Sequence, residues 1–245
     1  MTFRAFLGKL FGLGFVCILT AAAAAGELRD QPRAVIELFT SQGCSSCPPA
    51  DALLEQLARR QDVVALAYHV DYWDYIGWPD TFGAAENSDH QRAYASSWKS
   101  SRIYTPQLVV NGTLDVVGSR EDEVQAAIDG AALLLPVLLD VRDDMLAIDI
   151  EGQAGVDEAM VWLITFIDRA DVLIERGENA GQTIAYSQVV TRRQIVGMWE
   201  PGSGTHLKLP LAEILTGDSN GLAVLVQLGV DRMPGPIIGA ASFQQ

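Results

Sequence analysis

Ala34-Val35-Ile36-Glu37-Leu38-Phe39, then Thr40-Ser41-Gln42-Gly43, then Cys44-Ser45-Ser46-Cys47, then Pro48 to Arg60: this stretch decides the fold. The first run is apolar and rich in strand formers, the signature of a buried strand. Thr40 to Gly43 reads as a turn. Beyond Pro48, the residues Ala50, Leu53, Leu54, Leu57 and Ala58 recur at helical spacing. Asp51 and Glu55 fall early and Arg59-Arg60 late, which suits the helix dipole. Val63–Val70 is a second buried strand. The order strand, C-x-x-C, helix, strand is a βαβ unit and predicts a parallel pair. A C-x-x-C at a strand-to-helix turn is a common way to present a redox-active thiol pair. Two cysteines so spaced can close a disulfide across one turn, and the helix N-terminus favours the thiolate of the first.

The chain has 245 residues, 49% hydrophobic and 20% charged. That is a globular composition with room for one or two domains. Residues 1–25 read as an export signal. Arg4 and Lys9 form a positive start, Leu10 to Ala25 is apolar, and Ala23-Ala24-Ala25 before Gly26 suits a small-residue cleavage site. The apolar run is short for a membrane anchor. Cys17 follows Phe15-Val16, which does not suit a lipoprotein cysteine. Export implies a periplasmic or secreted protein without membrane insertion after cleavage. Cys17 would leave with the signal, so Cys44 and Cys47 would be the only cysteines of the mature chain. A disulfide closing so short a loop adds little stability, so the pair is better explained by chemistry. The net charge is −14, and loss of Arg4 and Lys9 takes it to −16. Such a surface repels nucleic acid and anionic lipid.

Gly26–Pro32 reads as a polar lead-in. Past the second strand, Asp71–Trp78 is aromatic and irregular, and Thr81–Trp98 reads as a polar helix, interrupted near Gly83. Thr105-Pro106 leads into a strand at Gln107–Val110. Asn111-Gly112 then signals a hairpin into Leu114–Val117. Ser119 is a candidate N-cap for a helix from Glu121 to Leu135, ending at Pro136. After Pro136 the texture changes. Val137–Val141, Met145–Ile150, Met160–Asp168, Gln188–Val196, His206–Leu211 and Leu222–Leu228 are short β-like runs separated by turn signals. They predict an antiparallel, sandwich-like, all-β domain. The expected division is therefore 1–25 signal, 26–135 α/β domain and 136–245 β-rich domain, with the last two packed together.

The first domain, β-(CxxC)α-β-α-β-β-α with Tyr104-Thr105-Pro106 before its third strand, resembles the thioredoxin fold. The resemblance implies a cis Pro106 lying beside the disulfide. A longer match is carried by Phe39 to Asp51, by His69-Val70-Asp71-Tyr72-Trp73-Asp74-Tyr75-Ile76-Gly77-Trp78 and by Arg176-Gly177-Glu178-Asn179. Together these look like the exported bacterial thioredoxin-like family known as domain of unknown function 1223. The resemblance covers essentially the whole mature chain, and the family's name assigns no activity.

Thiol chemistry follows from the residues. Cys44 is the expected attacking thiol, its pKa lowered from about 8.5 at the helix N-terminus. Cys47 is the expected resolving thiol. Ser45 and Ser46 offer donors without positive charge. Pro48 and Pro49 bias Cys47 away from helical angles, so the helix is expected to begin near Pro49. In a thioredoxin-like sheet His69 ends the strand near the cysteines. It is expected either to serve the thiolate as hydrogen-bond partner or proton shuttle, or to be a half-buried strand end. Asp71 and Asp74 orient it or cap the loop, with capping favoured. Tyr72, Trp73, Tyr75 and Trp78 line a substrate groove or form the inter-domain packing, the second reading being favoured. Tyr72, Trp73 and Thr105 are the substrate-contact candidates, and His90 and His206 read as surface residues.

Two function classes remain open. One is an envelope thiol–disulfide oxidoreductase acting on protein thiols or disulfides, with no cofactor or metal. The other is a Cu(I) protein using Cys44, Cys47 and His69, since thiolates suit that ion. A redox-inert binding protein is the blander alternative.

Overall fold

A computed structural model of the chain describes residues 1–2, 26–230 and 233–245. Apart from its first two residues, the export signal read over 1–25 lies outside them. In chain order the elements are β1 (Glu27–Arg29), β2 (Ala34–Thr40), α1 (Pro48–Leu57), β3 (Val63–His69) and a 3-10 turn at Asp74–Ile76. Next come α2 (Ala85–Ser97), β4 (Gln107–Val110), β5 (Leu114–Val117), α3 (Glu121–Asp129) and β6 (Leu135–Pro136). The remainder is β7 (Leu138–Arg142), β8 (Met145–Ile150), β9 (Ala159–Leu173), β10 (Thr183–Trp199), β11 (Thr205–Pro210), α4 (Leu211–Ile214), β12 (Gly221–Val230) and β13 (Met233–Gln244).

One ten-stranded mixed sheet organises the molecule, in the order β1-β13-β12-β9-β10-β3-β2-β4-β5, with β6 added to β13. The predicted βαβ unit is present: β2 and β3 run parallel in register from Ala34↔Val63 to Thr40↔His69. Every residue of both strands is buried, as expected where both faces of a sheet are covered. Ala34, Ile36 and Leu38 face a core built with α1 and α3. Val35 and Phe39 face another, shared with Tyr94 of α2 and residues of β9, β10, β12 and β13. The strand alternation thus sends alternate side chains into different cores.

The change of texture at Pro136 does not divide the sheet. β10 lies parallel to β3 with Val189 opposite Ala67, so the long β9–β10 hairpin extends the first half's own sheet. The sandwich expectation holds at the other end only. There β7, β8 and β11 form a three-stranded sheet that packs on β9, β12 and β13 around Trp199.

Other expectations are corrected. The helix from Glu121 stops at Asp129 because Leu134 donates to Ile238 O and β6 pairs with β13, which draws the following chain into the sheet. Its N-cap is Arg120, not Ser119. The second helix starts at Ala85 rather than Thr81. The polar lead-in contains β1, and β13 is a further strand whose glycines and prolines mask its pattern. Gly239 permits that pairing, since a Cβ there would meet Leu135 O at 2.8 Å.

Asn111 ties the hairpin to the sheet. It is buried at φ 46°, its Oδ1 accepts Val35 N–H at 2.7 Å, and its Nδ2 donates to Ala132 O at 3.2 Å. Asn111→Ala should orphan the Val35 donor and strain the turn, at a cost of about 2 kcal/mol. Urea unfolding should show the midpoint falling with an unchanged slope.

Candidate functional site

Cys44 and Cys47 form a disulfide, with Cα atoms 5.4 Å apart. A chain of turn bonds builds the loop: Cys44 N–H to Ser41 O, Cys47 N–H to Cys44 O, then Ala50 and Asp51 N–H to Cys47 O. Cys47 is the N-cap of α1 with helical angles (φ −81°, ψ −35°), and the helix starts at Pro48. The expected displacement to Pro49 does not occur. Both prolines sit in the first turn, where missing donors cost nothing. Ser46 Oγ lies 3.5 Å from Cys44 Sγ. Cys44 is 1% exposed and Cys47 0%, while Ser45 and Ser46 face solvent.

A buried polar network lies directly beneath. Thr40 at the end of β2 donates to Asp51 Oδ1 at 2.8 Å, and His69 is its register partner on β3. Asp51 is in α1, one turn after Cys47. His69 is fully buried, with Nδ1 2.8 Å from Asp80 Oδ2. Asp80 also accepts Gln42 N–H at 2.7 Å and Phe82 N–H at 2.8 Å. Tyr186 of β10 closes the cluster, its ring 4.8 Å from the imidazole. Asp51 Oδ2 and His69 Nε2 are both buried without a partner. Burial raises the Asp51 carboxyl, opposed by His69 and Thr40 and reinforced by Asp80, to about 7. Burial also acts to raise Asp80, but His69 and the two backbone donors hold it below its ordinary value.

Asp80 orients His69, and Asp71 and Asp74 do not, in line with the favoured reading of those two as loop caps. Asp71 accepts Ser88 Oγ, and Asp74 accepts Asp80 N–H at 3.0 Å, both in the capping role. Sequence reading missed Asp51, Asp80 and Gln42 as site residues. The one available signal for Asp51 was a charged residue on the apolar face of α1.

Two segments cover the loop. From the aromatic stretch, a Cβ on Gly43 would touch Trp73 Cβ at 3.2 Å. Trp73 Nε1 donates to Thr105 Oγ1 at 2.8 Å, which joins two of the substrate-contact candidates. Tyr72 is half-buried and donates to Gln91. Tyr75 stands 82% exposed. From the other half, the β9–β10 turn places Asn179 so that its Nδ2 donates to Gln42 O and Cys44 O, at 2.9 and 3.1 Å. Trp78 packs near Gly177 of that turn and donates to Gln42 Oε1, so here the packing reading holds. Thr105-Pro106 is cis, as the resemblance implied. Pro106 lies by the start of α1: a Cβ on Gly118 would sit 3.5 Å from it and 3.2 Å from Ala50.

His90 is buried, against expectation. It lies on the opposite face of the sheet, with Nε2 3.0 Å from Glu37 Oε1, and Tyr94 donates to the other carboxylate oxygen. Burial acts to raise Glu37, but His90, Tyr94 and Arg193 keep it below its ordinary value. Burial, then Arg193, lowers His90. His206 is exposed beside Asp149. Among the described residues no group of three His, Cys, Asp or Glu is placed to hold a metal.

A family model described as "Protein of unknown function (DUF1223)" matches residues 35–227. The chain belongs to this family. A structural-genomics crystal structure of an Agrobacterium tumefaciens protein is 35% identical, with a TM-score of 0.78 over 88% of this chain and 95% of that one. HBP35 of Porphyromonas gingivalis shares the fold at 11% identity, with a TM-score of 0.58 over 87% of this chain and 75% of its own. No curated protein matches. The DUF1223 match spans the cysteines, Asp51, His69, Asp80 and Asn179, so both halves of this site lie within the family region.

The proton that Asp51 holds when folded is released by the unfolded chain. Stability should therefore fall as pH rises from 3.8 through about 7. Asp51→Asn keeps an acceptor for Thr40 and removes the ionisation. It should melt higher than the wild type in mild alkali, by up to about 4 kcal/mol at 1.36 kcal/mol per pH unit, and the gap should close toward about pH 4. Thermal melts across that range measure it.

Proposed function

We propose that this chain is an exported thiol–disulfide oxidoreductase built on a thioredoxin-like unit, exchanging electrons with protein thiols or disulfides of the cell envelope. Its place would be the periplasm or the exterior. The observation that carries this reading is the Cys44–Cys47 disulfide at a helix N-terminus with the buried, partly unsatisfied Asp51 one turn on. The order of β2, α1, β3, β4, β5 and α3 around that pair supports the thioredoxin-like part. No cofactor or metal is needed.

In this reading the cover made by Trp73 and Asn179 opens, and a partner thiolate attacks Cys44 Sγ, which lies in the turn outside the helix. The Cys44–Cys47 bond breaks, and Cys47 leaves as a thiolate stabilised by the helix N-terminus. Cys47 is shielded from water, so its proton comes from within; Asp51, with a pKa near 7, supplies it. A second partner thiol, losing its proton, then attacks the partner sulfur of the mixed disulfide and releases Cys44. The partner loses two electrons and the cysteine pair gains them. In reverse, the Asp51 carboxylate takes the proton from Cys47 before it closes on Cys44.

With glutathione disulfide as probe, reduced Cys47→Ser should form a mixed disulfide at Cys44 at neutral pH at least about tenfold faster than reduced Cys44→Ser does at Cys47. Mass spectrometry over time gives both rates, and equal rates would defeat the assignment of Cys44 as attacking thiol. The cover adds a second expectation. Trp73→Phe keeps the ring packing but removes the bond to Thr105, so dithiothreitol should reduce its disulfide several-fold faster than in the wild type.

A further inference from the structure

On the far side of the segment that carries Asp80, a cleft of about 720 Å³ opens between Thr81–His90 and Val190–Arg193 of β10. Its size is that of a small-molecule site. Its chemistry is not that of the surrounding acidic surface. Eight described arginines pair with carboxylates. Arg192 and Arg193 line this cleft, and among the described residues neither has a carboxylate within 4.0 Å. Glu86 is the one acid on the wall.

The backbone arranges this pair. The β9–β10 register shifts between Val190 and Arg192, leaving Thr191 as an extra residue in β10. Such a bulge re-aims the side chains that follow it and recurs beside binding sites. Arg193 is then fixed at depth, stacked 3.3 Å over the Trp162 ring and donating to Gln227 Oε1 at 3.2 Å. His90 has Nε2 committed to Glu37 and still borders the cleft, bringing a rigid imidazole to its floor. Phe82, Ala84 and Val190 supply an apolar wall, and Asn87 and the threonines supply neutral polar groups.

We propose that this cleft binds a small organic oxyanion, its carboxylate or phosphate met by the uncommitted Arg192 guanidinium in the positive field of Arg193, and its apolar body against Phe82 and Val190. A guanidinium fork suits either planar or tetrahedral oxyanions, so both chemistries belong to one site. None of its lining residues belongs to the cysteine loop, although Thr81 is hydrogen-bonded to Gln42.

The test is calorimetric titration of the oxidised full-length protein at low salt with phenyl phosphate and, separately, benzoate. Saturable binding of at least one is expected. Arg192 is exposed and takes no part in the buried Glu37 network, so Arg192→Gln should fold and should weaken binding about tenfold. Glu86→Gln removes the opposing charge and should tighten it about twofold. Added salt should weaken it. No saturable binding of either probe at millimolar concentration, or equal affinity in Arg192→Gln and wild type, would overturn the proposal. The preference between probes identifies the oxyanion.

Discussion

Gln42 is the residue on which the cysteine loop rests. It is fully buried and takes part in five hydrogen bonds: its N–H to Asp80, its Nε2 to Thr81, its Oε1 from both Trp78 and Thr81, and its carbonyl from Asn179. A buried amide left without partners costs about 1–3 kcal/mol per orphaned group, so each of these bonds is enforced by the others. Cys44 is two residues on. The sulfur's position therefore depends on two distant segments, Trp78–Thr81 of the loop after β3 and the turn between β9 and β10.

That last contribution explains the long hairpin. β10 has 17 residues, which at about 3.3 Å each span over 50 Å. One end, at Trp199, is buried in the core beneath the three-stranded sheet. The middle, at Val190, joins the core under α2, and Tyr186 and Ile184 form a separate cluster with Trp78 and Phe82. A single strand thus couples the cores of both halves, and its turn delivers Asn179 to the cysteine loop. The C-terminal half is part of the site's scaffold, not an appendage to it.

The local parts of this fold were legible. The uniform apolar runs of β2 and β3 and the spacing of Ala50, Leu53, Leu54 and Leu57 located the βαβ unit and the disulfide within it. Asn111-Gly112 located the β4–β5 hairpin. What escaped was set by long-range pairing. Nothing local in Leu133 to Pro136 says that it joins β13 rather than prolonging α3. Nothing in Val189 says that it lies against Ala67. The site's acids escaped for a related reason: Asp51 looks like a dipole residue and Asp80 like a turn residue until the sheet brings His69 and Gln42 to them. His90 was misread because its helix has a polar sequence, yet it is buried beside Glu37 through a partner contributed by another strand.

The two buried acids of the sheet's faces make the strongest internal comparison. Glu37 and Asp51 are equally removed from water. Glu37 has His90 and Tyr94 on its two oxygens and Arg193 nearby, and its pKa is held down despite burial. Asp51 has Thr40 on one oxygen and nothing on the other, and burial drives it up to about 7. The Glu37 carboxylate is thus satisfied on both oxygens. An acid left half-satisfied costs stability, and Asp51 lies one turn from Cys47, where the proposed function would use a carboxyl able to gain and lose a proton near neutrality. The neighbouring Nε2 of His69 is likewise buried without a partner in the same dry cluster, with its ring fixed from behind by Asp80. Two unpartnered buried polar atoms, Asp51 Oδ2 and His69 Nε2, thus lie together beside the disulfide, and under the proposed function this is where a proton would be exchanged.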